Sequence, residues 1–224
     1  MFFAYGEREI DYLKHRDRRL GAAMEAIGLV RRETDPDLFS AVVHHIMAQQ
    51  ISTRAQETIW RRIREALGTV DAEHILAFGA PSLQTLGMSF RKAGYIVDFA
   101  QKVAEGSFRL ESVAAMPDEE AVRSLVSLKG IGVWTAEMIL LFCLQRPNVF
   151  SFDDLAIRRG LRMLYRHREI PLERFERYRR RFHPYCSVAS LYLWEIAGGA
   201  VPGLSDPGEK IRTDTANLRG RGGR

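Results

Sequence analysis

Along most of the chain apolar residues recur three and four positions apart, the spacing of a helix with one buried face. No stretch alternates with period two for long, so the pattern predicts an all-α fold. Over residues 7–30 the stripe is Ile10, Leu13, Leu20, Met24 and Ile27, enough for one or two helices. Residues 31–37 are polar, contain Pro36 and read as a linker. Helical spacing returns with Phe39, Val43 and Met47, and Gln49-Gln50-Ile51-Ser52 interrupts it. It resumes with Ala55, Ile59, Ile63 and Leu67. Thr53-x-x-Gln56 has the form of a capping box at the start of that helix, and Gly68 ends it. Ser82 to Leu86 predicts a short helix that stops at Gly87. Ser89 opens a longer one, with Ala93, Ile96, Val97, Ala100 and Val103 inward and Gly106 as its end. Pro117-Asp118-Glu119-Glu120 reads as an N-terminus, with proline early and acids in the first turn. Further helices are expected through Gln145, from Asp153 to about Tyr165, from Leu172 to Phe182 and from about Tyr185 to Ile196. Residues 205–224 break the pattern. They run from Ser205-Asp206-Pro207-Gly208 into Arg219-Gly220-Arg221-Gly222-Gly223-Arg224, carry little apolar surface, and predict a disordered basic tail.

The most informative stretch is the turn Leu128-Lys129-Gly130-Ile131-Gly132-Val133-Trp134-Thr135-Ala136, which joins two helical segments. Both glycines can take positive φ and leave the backbone bare. The first amides of the helix that follows have no partner within it, and they lie at its positive end. Such a turn reads as a clamp on a phosphate backbone. The plainer reading is a tight helix-to-helix turn that needs glycine. Further along lies Ser151-Phe152-Asp153-Asp154-Leu155, followed by Arg158, Arg159 and Arg162. Two carboxylates beside a phosphate site suit chemistry better than backbone binding. Either acid can cap the helix that begins there, and spacing alone does not choose between them.

Together, L-x-x-L-K-G-I-G-x-W-T-A and F-D-D-L-x-I-R-R-G resemble the helix-hairpin-helix DNA glycosylase superfamily. Within it the chain is most similar to the 3-methyladenine DNA glycosylase II (AlkA-type) branch, over roughly residues 36–200. The resemblance implies two helical lobes with a cleft between them. Residues 36–147 form the lobe with the hairpin, and 1–35 with 148–204 form the lobe with the catalytic acid. The branch often carries an additional N-terminal β-rich domain, for which this chain is too short at that end. The resemblance assigns catalysis to Asp154, whose carboxylate would stabilise an oxocarbenium-like sugar and orient water. Asp153 is left to cap. In relatives with lyase activity a lysine stands where this chain has Trp134, and Lys129 lies on the wrong side of the turn to replace it. A monofunctional enzyme is therefore expected. Trp134, Met138 and Trp194 would form the base pocket, with indole stacking on a cationic alkylated purine. At Met138 the branch has a tyrosine, so the base could differ. The plainer reading of the tryptophans is core packing. Gln50 and Ile51 would fill the gap left by the flipped base, unless they are simply polar and apolar helix-end residues. Gly130, Gly132 and Thr135, with the Trp134 amide, would bind DNA backbone. Arg158, Arg159 and Arg162 would add charge nearby, or form a solvated helix face.

Composition agrees with that picture. The chain of 224 residues is 46% hydrophobic, with a net charge of +5 and a pI near 9.4, which suits a polyanionic partner. Its arginine-rich base content also arises in GC-rich genomes. The two cysteines, Cys143 and Cys186, exclude a disulfide framework and the four-cysteine iron–sulfur cluster of related endonucleases. Cys143 falls on an apolar helix face. Adjacent His44 and His45 point different ways, so no metal site is expected, and no cofactor. No signal peptide or membrane-length apolar run is read. The reading expects a monomer in the cytoplasm, nucleoid-associated, acting on double-stranded DNA with a damaged base. Its alternatives are a glycosylase of the same fold for oxidised, deaminated or mismatched bases, and a DNA-binding module without catalysis.

Overall fold

The computed structural model describes residues 1–208, so most of the expected basic tail lies outside the described residues. Twelve helices and no strand occur among the described residues. They are α1 (Glu7–Arg16), α2 (Arg18–Ile27), α3 (Leu38–Ala48), α4 (Thr53–Leu67), α5 (Ala72–Thr85) and α6 (Phe90–Ala104). Then come α7 (Leu110–Ala115), α8 (Asp118–Val126), α9 (Val133–Phe142), α10 (Leu155–Tyr165), α11 (Leu172–Phe182) and α12 (Cys186–Ala197). The chain divides into two compact units. Unit 1 is Glu33–Gln145 with Met1, and holds α3 to α9. Unit 2 is Phe2–Arg32 with the described residues from Arg146, and holds α1, α2 and α10 to α12.

Unit 1 is built on the apolar faces of α3, α6 and α9. Val42, Val43, Ile46, Met47, Ile96, Ile139 and Leu140 are all buried, and Phe39 stacks on Phe99 with ring centroids 4.8 Å apart. Burying such side chains contributes about 1.5–3 kcal/mol each. Helix starts follow short polar side chains. Asp37 caps α3 through Phe39 N at 2.9 Å and Ser40 N at 3.2 Å, and Ser89 caps α6 through Lys92 N at 3.3 Å. At α4 the cap is Ser52, which accepts from Ala55 N at 3.3 Å, and not the expected Thr53, which is already the first helical residue. The short helix expected at Ser82–Leu86 is the second half of α5. Gly79 at φ 75° breaks that element two residues before Pro81, and the first half begins at a cap on Asp71.

Unit 2 is centred on α10 and α12. Gly160 of α10 meets the backbone of Leu193, with no room for a Cβ: one placed there would lie 2.3 Å from the Leu193 carbonyl oxygen. Around this crossing Leu13, Leu20, Phe150, Phe175, Phe182 and Tyr192 are fully buried, and Phe150 stacks on Phe175 at 4.5 Å. Residues 205–208, placed in the tail by sequence, belong to this unit. Buried Asp206 accepts from Arg162 Nε at 2.8 Å and from its terminal nitrogen at 2.5 Å, a two-pronged contact that holds the chain end on α10. The Arg162 hydrogen bond holds the Asp206 carboxyl below the usual carboxylate range. Arg159 lies 3.6 Å from the same carboxylate, and Arg158 sits over the Phe152 ring at 4.9 Å. All three arginines thus make contacts within unit 2 itself.

Candidate active site

In unit 1 the turn between α8 and α9 carries the two glycines. Gly130 takes φ 85°, while Gly132 stays extended at φ −94°, so only the first glycine uses its conformational freedom. A Cβ on Gly130 would lie 2.5 Å from Tyr95 Cδ2, whereas one on Gly132 would meet nothing within 4 Å. Gly132 is the N-cap of α9, without a side chain to satisfy the helix, and its carbonyl accepts from Ala136 N at 2.9 Å. Val133 and Trp134 in the first turn are exposed, Trp134 at 42%. The positive end of α9 therefore opens to solvent through the N-terminal turn, where an anion is favoured. Thr135 is buried at 6% exposure, and Met138, one turn on from Trp134, is buried at 3%. Lys129 is engaged by Asp98 at 2.5 Å.

Gly130→Ala is expected to destabilise unit 1 and weaken DNA binding together. The positive φ costs about 1–3 kcal/mol in a non-glycine residue, and the Tyr95 clash adds to it. Gly132→Ala, by contrast, should melt near the native temperature. Thermal melts and a DNA-binding titration on both variants check this.

The loop after α3 is tied to the turn. Gln49 Nε2 donates to Gly130 O at 2.5 Å, and Lys92 Nζ donates to Met47 O at 2.9 Å and to Gln49 O. Burial first, then Arg91, draws the Lys92 pKa down. Next to them Gln50 is exposed in the left-handed region at φ 56°, and Ile51 is half-buried. Sequence reading missed Gln49 and Lys92. The Gln-Gln pair hinted at the first, and nothing local marked the second. Elsewhere in the unit Gln56 donates to His44 Nε2 at 3.0 Å, and burial lowers the His45 pKa to about 4, which keeps that ring neutral.

In unit 2 the N-terminus of α10 holds the acid pair. Asp154, not Asp153, is the cap: its Oδ1 accepts from Ala156 N at 2.9 Å and Ile157 N at 2.8 Å. Trp194 Nε1 of α12 donates to the same oxygen at 3.1 Å. Asp154 is only 6% exposed, while Asp153 is exposed and Leu155 stands out at 72%. The capping role left to Asp153 thus falls on Asp154. The structure brings Asp154 and Trp194 together within unit 2, and Gly130, Trp134 and the Gln49–Ile51 loop within unit 1. Among the described residues no group of His, Cys, Asp or Glu could hold a metal ion, and no helix is long and apolar enough to cross a membrane.

A family model described as the HhH-GPD superfamily of base excision DNA repair proteins matches residues 43–184, well over half of the chain. The chain belongs to this superfamily. The HhH-GPD match takes in the glycine turn and Asp154 and ends before Trp194. Among solved structures the chain is similar to a DNA-3-methyladenine glycosidase from Bacillus halodurans, with a TM-score of 0.80 and 29% identity over 95% of this chain and 99% of that one. It is also similar to Mag1, the 3-methyladenine DNA glycosylase of Schizosaccharomyces pombe, solved with abasic DNA. That match has a TM-score of 0.74 and 26% identity over 84% of this chain and 95% of that one. The Bacillus subtilis protein YfjP is 29% identical over 169 residues, which span 71% of this chain and 59% of YfjP.

Proposed function

We propose that this HhH-GPD chain is a monofunctional DNA glycosylase. It takes double-stranded DNA as a monomer, flips out an alkylated purine of the 3-methyladenine or 7-methylguanine type, and hydrolyses the N-glycosidic bond to leave an abasic site. The observation that carries this reading is Asp154 at the positive end of α10, with Trp194 hydrogen-bonded to its Oδ1. Three N–H donors on one oxygen fix the orientation of the carboxyl group. Its negative charge is then pre-positioned for a sugar that becomes positive as the bond breaks. The base must leave the stack first, and Gln50 and Ile51 fill its place. The exposed Trp134 ring offers a π-face to the cationic base. The turn at Gly130 and Gly132 grips the phosphate backbone. The resemblance of Mag1, a glycosylase that binds abasic DNA, supports the same assignment.

With Trp134 in place of an amine, water is the nucleophile, and no Schiff base forms. Incubating the native protein with methylated duplex DNA should release free base and leave the strands whole. Breaks should appear only after hot alkali, on denaturing gels. Strand breaks without alkali, or a borohydride-trapped protein–DNA adduct, would overturn the monofunctional reading. Met138, where the branch has tyrosine, favours a second reading in which the base is oxidised or deaminated. Parallel release assays on 3-methyladenine, 7-methylguanine, hypoxanthine, 8-oxoguanine and uracil duplexes separate the two.

A further inference from the structure

A second basic feature lies wholly within unit 2, at the opposite end of α10 from Asp154. The helix has 11 residues, so its two ends are about 16 Å apart. Where it ends, Tyr165 and His167 meet the α1–α2 junction and the last turns of α11 around an open cavity of about 870 Å³. Six arginines line it: Arg16, Arg18, Arg19, Arg177, Arg180 and Arg181. Among the lining residues Asp17 is the one carboxylate, and its oxygens are committed. Its Oδ1 accepts from Arg19 N and Leu20 N, both at 3.0 Å, as the cap of α2, and its Oδ2 takes Arg181 at 2.8 Å.

Several of these guanidiniums are already positioned. Arg181 lies over the Tyr178 ring at 5.5 Å and Arg19 over the Tyr165 ring at 5.9 Å, while Arg16 Nε donates to Arg181 O at 3.3 Å. Held this way, they have less freedom to lose when they meet a ligand. Arg18 and Arg180 are exposed and make no ion pair among the described residues. Tyr165 is 7% exposed, and its hydroxyl lies beside the Asp17 carboxylate. His167 feels the same field: burial, then Arg174 and Arg19, lower its pKa.

Arg177 is held by Glu173 at 2.5 Å and Arg181 by Asp17 at 2.8 Å, which leaves Arg16, Arg18, Arg19 and Arg180 around the hollow without a carboxylate partner among the described residues. Guanidinium forks that arrive from α1, α2 and α11 suit an anion with several oxygens on a tetrahedral centre, where a carboxylate would occupy only one fork. We propose that this bowl is a phosphate-binding site, distinct from the glycosidic chemistry at the other end of α10. It takes a phosphate group, carried either by a DNA backbone or by a free ion. The inference does not depend on which base the chain excises.

The test uses the full chain and the double substitution Arg18→Gln/Arg180→Gln, with Arg8→Gln/Arg54→Gln as an equal change of charge elsewhere. Inorganic phosphate is titrated against sodium chloride at matched ionic strength, and the melting temperature is followed. The native protein and the control should gain about 3–5 °C, saturably, at tenfold over half-saturation, and the pocket variant should not. If the double variant does not fold, Arg180→Gln alone replaces it. A second arm measures duplex affinity against salt. One or two lost phosphate contacts make the slope of log K on log salt shallower by about one or two. That change in the pocket variant identifies DNA backbone as the source. An unchanged slope with the phosphate stabilisation lost identifies the free ion. The proposal is overturned if phosphate does no more than chloride and the pocket variant keeps the native salt slope.

Discussion

Asp154→Asn should release alkylated base at least about a hundredfold more slowly than the native chain, while its melting temperature and DNA affinity stay close to native. The substitution isolates charge from structure. Asn and Asp are about equally good helix caps, and an amide oxygen can accept the same bonds from Ala156 N, Ile157 N and Trp194 Nε1. On the proposed reading, what is lost is the negative charge beside the breaking bond. Removing one pre-positioned electrostatic partner in an enclosed site costs about 10²–10³ in rate. Asp154→Ala should lose catalysis too, but it also forfeits the cap, at about 0.5–2 kcal/mol. Single-turnover base release, thermal melting and a binding titration on the two variants separate these effects. Native-like release by Asp154→Asn would remove the catalytic role from Asp154, and a native chain that binds duplex DNA but releases no base would be a DNA-binding module.

The second large effect is expected from Gly160→Ala. In an exposed helix interior this change gains about 1 kcal/mol, so its sign here is diagnostic. The new Cβ would lie 2.3 Å from Leu193 O, 3.0 Å from its carbonyl carbon and 3.1 Å from its Cα. All three are backbone atoms, so no side-chain rotation relieves the contact. Helix α12 has to move off α10. The penalty should sit at or above the top of the roughly 1–3 kcal/mol range for overpacking, and lower the melting temperature by roughly 5–10 °C. Trp194 follows Leu193 directly, so the same movement draws its Nε1 away from Asp154. Base release by the folded fraction should therefore fall as well. A melt within a degree of native would show that the crossing can open without cost.

These two positions also mark what a sequence can and cannot reveal. Helical spacing at Phe39, Val43 and Met47, or at Ala93, Ile96 and Ala100, placed α3 and α6, because burial of one face writes a period into the chain. The glycine turn and the acid pair were legible because both depend on residues close in sequence. The choice of Asp154 as the cap was not, since neighbouring carboxylates have the same propensity and only the backbone path decides. The first half of α5 was hidden because Gly79 and Pro81 look like loop signals, although the helix resumes directly beyond the break. Arg162 with Asp206, Gln49 with Gly130 and Lys92 with Met47 lie 44, 81 and 45 residues apart, beyond any local pattern. Gly160 reads as an ordinary helix residue, and only the fold sets Leu193 against it.

The tie from Gln49 to Gly130, reinforced by Lys92, has one more consequence. On the proposed reading the tip that probes the stacked bases and the turn that seizes the strand are two prongs of a single rigid fork, cross-braced inside one body. The spacing between its prongs is set before any duplex arrives, so they cannot be adjusted one at a time. On that reading the fork works as a gauge of fixed span, which a duplex must meet with its base stack and its backbone at once.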